Sequence, residues 1–417
     1  MFSDSIRDYV EGVAAKYLTA VDANPKKSNQ HEIGGLPSAG FKRHLGEPAK
    51  GEKLYLKGRL VYVSDNDDAP LIVDDELTWY GATRSGDPKR APEYRLYYKT
   101  NAVTSLFAEG DFFLIAKLRD DTLLLIFTPQ GSTIEAQLRV LFGIDEVGNT
   151  LRSGSLKGPD LLLPLRLLLE DLGLVADRHQ SDEVDWLARL IDRFGHERFP
   201  STIQFSAFAR ETLQGAFDPS ADPDAALMAW MDHEEHLFRV FERHLVSRRL
   251  HTGFGEDGGD VDAFISFSLS VQNRRKSRVG HAFEGHLETL FEANKLRFER
   301  ARGKERVTEN NSKPDFLFPG FKQYHDLGYP AERLLMLGAK TTCKDRWRQV
   351  LAEAKRISRK HLVTLEPAIS RQQTSEMKAS GVQLVIPAPL HETFAADQQA
   401  ELSSIAEFID EVRRIEA

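Results

Sequence analysis

Lys313-Pro314-Asp315-Phe316-Leu317-Phe318-Pro319, followed by Leu334-Leu335-Met336-Leu337-Gly338-Ala339-Lys340, decides how this chain is read. Phe316 to Phe318 predicts a short buried strand opening on a carboxylate. Leu334 to Ala339 is a continuous apolar run, too short for a typical helix and bounded by polar residues, and predicts a central strand. As neighbours the two strands would bring Asp315 and Lys340 into one cleft. A carboxylate there holds Mg²⁺ through oxygen. A lysine beside it stabilises a phosphate and positions or deprotonates a water. Pro-Asp followed later by a lysine is common, so the pair needs support from the rest of the chain.

Downstream, Asp345 to Ser358 predicts a helix, Leu362 to Leu365 and Val382 to Ile386 predict strands, and Ala400 to Ile415 predicts a closing helix. Upstream, Gly303 to Ser312 is a polar loop. Val261 to Val271 and Gly280 to Asn294 predict two helices around the basic run Asn273-Arg274-Arg275-Lys276-Ser277-Arg278. Val184 to Phe194, Thr202 to Gln214 and Asp224 to Leu250 are helical in pattern, with Pro219 and Pro223 as breaks. This half therefore predicts helices and strands around a central sheet. Asp232-His233-Glu234-Glu235-His236 invites a metal reading, but the spacing is not HExxH, and a densely charged helix face accounts for it.

The first half reads differently. Residues 4–20 have helical spacing (Ile6, Tyr9, Val10, Val13, Ala14, Tyr17, Leu18) and predict an amphipathic helix. Asn24 to His31 is polar and basic, either an arm tracking a DNA backbone or a solvated loop. Leu54–Leu56, Leu60–Val63, Arg95–Tyr98, Phe112–Ala116 and Leu123–Phe127 predict short strands of a small β-barrel or sandwich. Gly81 to Arg90, flanked by Trp79 and Tyr80, is a donor-rich loop suited to a DNA groove, or an ordinary hairpin loop. Residues 134–145 and 161–174 predict helices that close this domain. The expected organisation is a domain over 1–175, a linker over 176–183 and a second domain over 184–417.

A length of 417 residues suits two or three domains. No apolar run approaches the roughly 20 residues that span a membrane, and Met1-Phe2-Ser3-Asp4-Ser5 lacks the features of a signal peptide. The single cysteine, Cys343, excludes an intrachain disulfide and a multi-cysteine zinc site, and suits a reducing cytoplasm. A net charge of −8 argues against wholesale polyanion binding. The positive charge is clustered, however, in Asn273–Arg278 and Lys344–Lys360, as local phosphate neutralisation requires. A solvated helix face would explain either run taken singly.

Ser270 to Arg278, Lys313 to Pro319, Tyr324-His325-Asp326 and Lys340-Thr341-Thr342-Cys343-Lys344-Asp345-Arg346-Trp347-Arg348-Gln349, in this order, resemble the EcoRII family of type II restriction endonucleases. The resemblance is close over roughly 184–400. Over the first 170 residues it is looser, resting on His31 to Leu45 and the strand order. It implies an N-terminal B3-like β-barrel with flanking helices and a C-terminal α/β restriction-endonuclease-like core of the PD-(D/E)xK type. It further implies a Mg²⁺-dependent homodimer that cuts double-stranded DNA at 5′-CCWGG or a close variant. Its N-terminal domains would bind further copies of the site and relieve autoinhibition, which is type IIE behaviour. A cognate DNA methyltransferase would be its functional partner.

Residue by residue, the resemblance assigns catalytic positions to Glu284, Asp315, Tyr324, Lys340 and Glu353, with Asp315, Glu353 and Glu284 as metal ligands. Ala339 stands where the strand motif has its second acid. In relatives that acid moves to the following helix, thirteen residues after the lysine, which is Glu353 here. An i,i+3 surface pair with Arg356 is the plain alternative. Lys344, Asp345 and Arg346 fall where relatives read outer C:G pairs. Arg or Lys donates to guanine, and a carboxylate accepts from cytosine N4. Arg274, Arg275, Lys276 and Arg278 are further expected DNA contacts. Lys26, Lys27, Asn29, His31, Arg84, Lys89 and Arg90 are the expected effector-DNA contacts. Two departures stand out: His281 replaces a lysine, and 220–250 matches poorly.

Without the resemblance, a DNA-binding regulator or a soluble protein with basic helices for a protein partner also fits. With it, the alternative is a sequence-specific or methylation-reading DNA-binding protein whose nuclease domain has different control or lost activity.

Overall fold

The computed structural model describes residues 6–23, 31–49, 51–67, 69–82, 93–156, 163–173, 183–255, 258–301, 307–343 and 346–416. The chain divides into two compact units, Met1–Ala176 with Pro367–Gln373, and Asp177–Glu366 with Thr374–Ala417. The expected linker falls largely outside the described residues.

The first unit is built on one sheet. Its strands are β1 (Val10–Tyr17), β2 (Glu32–Ile33), β3 (Lys53–Tyr62), β4 (Leu71–Ala82), β5 (Glu93–Tyr97), β6 (Phe112–Leu118), β7 (Leu123–Thr128) and β8 (Arg152–Ser153). The spatial order is β2-β5-β4-β3-β7-β6-β1-β8. Neighbours are antiparallel except β3 and β7, which run parallel with Leu60 opposite Leu125. Side chains alternate across a strand, and in the central strands β6 and β7 both faces are buried. Leu124 and Ile126 point with Leu114 and Ala116 into a core completed by Leu138, Leu141 and Phe142 of the helix Thr133–Phe142 and by Leu165 and Leu169 of the helix Leu163–Asp171. Leu123, Leu125 and Phe127 point the other way, to Phe113, Trp79, Leu96 and Tyr98.

Two expectations change here. Residues 10–17 are a strand, not a helix. Their apolar residues are buried on both faces, and Val13 and Ala15 lie opposite Ala116 and Leu114. A short run of that kind satisfies either period, and the ladder to β6 decides it. The sheet is also open and not a closed barrel. Its edges, β2 and β8, are two-residue strands paired on one side only, and closure would need them joined. The strand β4 carries Asp74-Asp75-Glu76 mid-strand, which hides it in the sequence. Arg59 lies opposite Asp74 and pairs with it at 2.7 Å.

The second unit holds a mixed five-stranded sheet of order β13-β12-β11-β10-β9. The strands are β9 (Glu299–Arg300), β10 (Phe316–Phe318), β11 (Leu335–Lys340), β12 (Lys360–Thr364) and β13 (Val382–Val385). The last three run parallel, while β10 is antiparallel to both its neighbours. Phe291, Phe316, Phe318 and Phe408 pack edge-on or tilted and tie the helices Val261–Ala293 and Ile405–Glu416 to the sheet. A second aromatic cluster, Phe199, Phe205, Phe238 and Phe241, joins the helices Thr202–Thr212 and Pro223–Thr252.

The basic run does not separate two helices. Val261–Ala293 is one helix, capped at Asp260, whose carboxylate accepts from Ala263 N at 2.9 Å. Internal partners hold much of the run on the protein. Arg278 is buried against Glu234 and Glu235, Arg275 pairs with Glu242 at 2.6 Å, and Arg274 stacks over Phe199. The helix expected to end at Ser358 stops at Leu351, because Ala354 takes a left-handed φ of 46° that an α-helix cannot contain.

Candidate active site

The antiparallel pairing of β10 with β11 sets Phe316 opposite Leu337. Asp315, just before β10, and Lys340, at the end of β11, thereby meet. Lys340 Nζ donates to Asp315 Oδ2 at 3.0 Å, and Ala339 N donates to the same oxygen at 2.7 Å. Where an acid would stand in the strand motif, the main chain thus fixes the aspartate. Gly338 lets a helix approach β11 closely, since a Cβ there would lie 2.9 Å from Val350 Cγ2. Val350 belongs to the helix Trp347–Leu351, which leads into Glu353.

Glu353 is half-buried, and its Oε2 is buried without a hydrogen-bond partner. Burial and the nearby negative charge of Asp315 push its carboxyl up to about 7. An orphaned carboxylate oxygen beside a second carboxylate is what a divalent cation would satisfy, so Asp315 and Glu353 fit Mg²⁺. Among the described residues no three His, Cys, Asp or Glu side chains form a cluster able to hold a metal. Mg²⁺ commonly sits on one or two carboxylates, with waters and substrate phosphate completing the shell.

Glu284 projects from the helix Val261–Ala293, and burial and then Asp315 raise its pKa. Its Oε2 accepts from Arg300 Nη2 at 2.5 Å, while Arg300 Nη1 holds Glu288 at 2.8 Å. Arg300 lies on β9 over the Phe316 ring. Nothing in the local pattern around Arg300 singles it out in the sequence, because its partners are a turn apart on the preceding helix and meet it only after the chain turns into β9.

Tyr324 is buried, and its hydroxyl donates to Glu309 Oε1 and Oε2 at 2.7 and 2.6 Å. It also accepts from Arg356 N at 3.3 Å. Burial and then Glu309 raise its pKa well above the usual value. Arg356 does not form the i,i+3 pair with Glu353. Its guanidinium donates to the carbonyls of Tyr324, Asp326 and Tyr329. Cys343 is fully buried, with its N donating to Glu366, and burial pushes the thiol well above its usual pKa.

The expected DNA-reading residues are distributed unevenly. Arg346 and Lys276 are exposed, whereas Lys344 and Asp345 lie outside the described residues. Lys26, Lys27, Asn29, Arg84, Lys89 and Arg90 also lie outside them. His31 packs edge-on against Tyr97 and Tyr98 in the first unit. His233 donates to or accepts from Thr212 Oγ1 at 2.8 Å and packs on Trp186, a structural setting.

With this geometry in view, residues 238–409 match the family model described as EcoRII C terminal. A particular relative is the type II restriction enzyme EcoRII of Escherichia coli, 43% identical over 217 residues, or 52% of this chain and 51% of the relative. The match thus spans about half the length of that curated relative. Solved structures that the chain matches in part include metal-depleted Ecl18kI in complex with uncleaved, modified DNA. It is 19% identical with a TM-score of 0.44, over 57% of this chain and 85% of that one. A complex of the restriction endonuclease PspGI with substrate DNA is 15% identical with a TM-score of 0.43, over 52% of this chain and 93% of that one. No helix among the described residues is long and apolar enough to cross a membrane.

Proposed function

We propose that the chain is a type II site-specific deoxyribonuclease that hydrolyses phosphodiester bonds in double-stranded DNA with Mg²⁺. The observation that carries this is the Asp315–Lys340 pair at 3.0 Å beside the unpartnered, buried Oε2 of Glu353. Asp315 and Glu353 would hold the cation. Bound Mg²⁺ supplies Lewis-acid stabilisation of charge at the scissile phosphate. Lys340 Nζ, oriented by Asp315 Oδ2, would direct the attacking water or take its proton. Glu284 would shape the field around Asp315 while Arg300 neutralises it.

The resemblance supports 5′-CCWGG or a close variant as the target. Lys344, Asp345 and Arg346 would read the C:G pairs, and Arg274 and Lys276 would add backbone contacts. The domains would be an effector DNA-binding unit over 1–175, of B3-like descent, a linker over 176–183, and a catalytic unit over 184–417. A second copy of the site on the effector unit would activate cleavage. The working form would be a cytoplasmic homodimer whose host is protected by a cognate DNA methyltransferase.

The test is cleavage of plasmids carrying one, two or three CCWGG sites, with Mg²⁺ and with EDTA. Cutting that requires Mg²⁺ and accelerates with site number is the expected result. Equal cutting of one-site and three-site plasmids would remove the effector role. An absence of cutting on every plasmid would leave a DNA-binding protein or another target sequence.

A further inference from the structure

The turn that carries Glu353 is held by side chains at almost every main-chain group. Ala354 N donates to Thr308 Oγ1 at 3.3 Å, Lys355 N to Glu309 Oε2 at 3.1 Å, and Arg356 N to Tyr324 Oη at 3.3 Å. The carbonyls of Glu353 and Ala354 both accept from Lys360 Nζ, at 2.5 and 2.6 Å. Three successive amides therefore meet three side-chain oxygens, and two successive carbonyls share one ammonium. The left-handed Ala354 between them is a conformation that persists only where its surroundings over-determine it. Two of the oxygens come from Thr308 and Glu309, in the segment that leads into Asp315. Tyr324 clasps Glu309 through both carboxylate oxygens.

We propose that Glu309, clamped by Tyr324 and seconded by Thr308, is a positioning residue that mounts Glu353 beside Asp315 in the cation site. The inference rests on the nuclease reading for the identity of that site and deepens it. It also changes the role of Tyr324. The phenol hydroxyl is committed to Glu309 and Arg356 N, so it acts through the mount and not on the reacting phosphate. The logic is that of a metal site whose ligands are aimed by outer partners, where loss of one partner commonly costs about 10- to 100-fold in metal affinity.

The experiment measures Mn²⁺ binding to the full chain without DNA, by electron paramagnetic resonance of free Mn²⁺ and by water-proton relaxation of the bound ion. Glu309→Ala is expected to weaken binding about 10-fold or more, and to add water to the bound ion as Glu353 leaves it. Glu309→Gln keeps an acceptor for Lys355 N and should recover most of the affinity. Tyr324→Phe removes the clamp and the acceptor for Arg356 N while leaving the Glu309 carboxylate in place, and should fall between the two. Circular dichroism identifies any variant that fails to fold, and Tyr324→Phe guards against that outcome for Glu309→Ala. Folded variants that bind Mn²⁺ with wild-type affinity and hydration would overturn the positioning role while leaving the cation site intact. A wild-type chain that binds no Mn²⁺ would instead overturn the cation site itself, and the mount with it.

Discussion

Lys340 Nζ and Asp315 Oδ2 lie 3.0 Å apart across two antiparallel strands, and the main-chain N–H of Ala339 fixes the same oxygen. The lysine is thus aimed by the aspartate it serves. Lys340→Ala should lower single-turnover cleavage by about 10²- to 10⁴-fold, the range for a positioned proton-transfer group. Folding should survive, because both side chains are partly exposed and contribute little as a pair. A Lys340→Ala chain that cuts at the wild-type rate would sink the mechanism.

Glu353 gives the site a pH dependence whose sign is fixed. Its carboxyl, pushed up to about 7, is protonated in the folded chain at pH values where the unfolded chain has already ionised it. The protonated form cannot serve as an anionic ligand, so cation binding should strengthen as pH rises through about 7. Stability of the metal-free chain moves the other way. The contribution is fully present below the unfolded pKa and is lost as pH rises through about 7. Urea denaturation between pH 5 and 8 should show that loss in the wild type, and Glu353→Gln should flatten it.

Arg300 joins two carboxylates, Glu284 and Glu288, that would repel each other if left alone on one helix face. Arg300→Met should destabilise the chain by about 1–3 kcal/mol, since these groups are mostly buried yet retain some water. Denaturant midpoints of Arg300→Met and of Arg300→Met with Glu284→Gln give the check. The double variant should recover part of the loss, and no recovery would mean that Arg300 acts through Phe316 packing alone.

Arg278 and Lys276 stand two residues apart and should behave oppositely. Arg278 is buried on Glu234 and Glu235 and against the Phe238 ring. Arg278→Met should cost about 3–5 kcal/mol of stability by stranding buried carboxylates. Lys276 is exposed, and Lys276→Ala should leave stability near wild type while reducing the salt slope of DNA binding by about one. Filter binding across a salt series, beside denaturation curves, separates the two.

The two decisive strands were legible because each is a compact apolar run with a charge at its end. Asp315 and Lys340 could be placed in one cleft from the sequence because one stands just before its apolar run and the other at the end of its own, while the register that joins them comes from the fold. Glu353 came from resemblance, and its setting could not be read at all. The mount depends on Thr308, Glu309, Tyr324 and Lys360, which are scattered along the chain and converge only after folding. Residues 10–17 were misread because a doubly buried strand has no polar alternation to betray it. The basic run misled in a similar way, since charge count cannot tell an arginine in water from one paired with a buried glutamate.

Cys343 has a practical bearing. It is the chain's one cysteine, it is fully buried, and burial keeps its thiol protonated. The thiolate is the reactive form, so the native protein is expected to react only slowly with maleimides and methanethiosulfonates. A cysteine introduced at any exposed position would then be the one that labels. Fluorophore or spin-label pairs could be installed, and distances followed in solution, without first removing a native thiol.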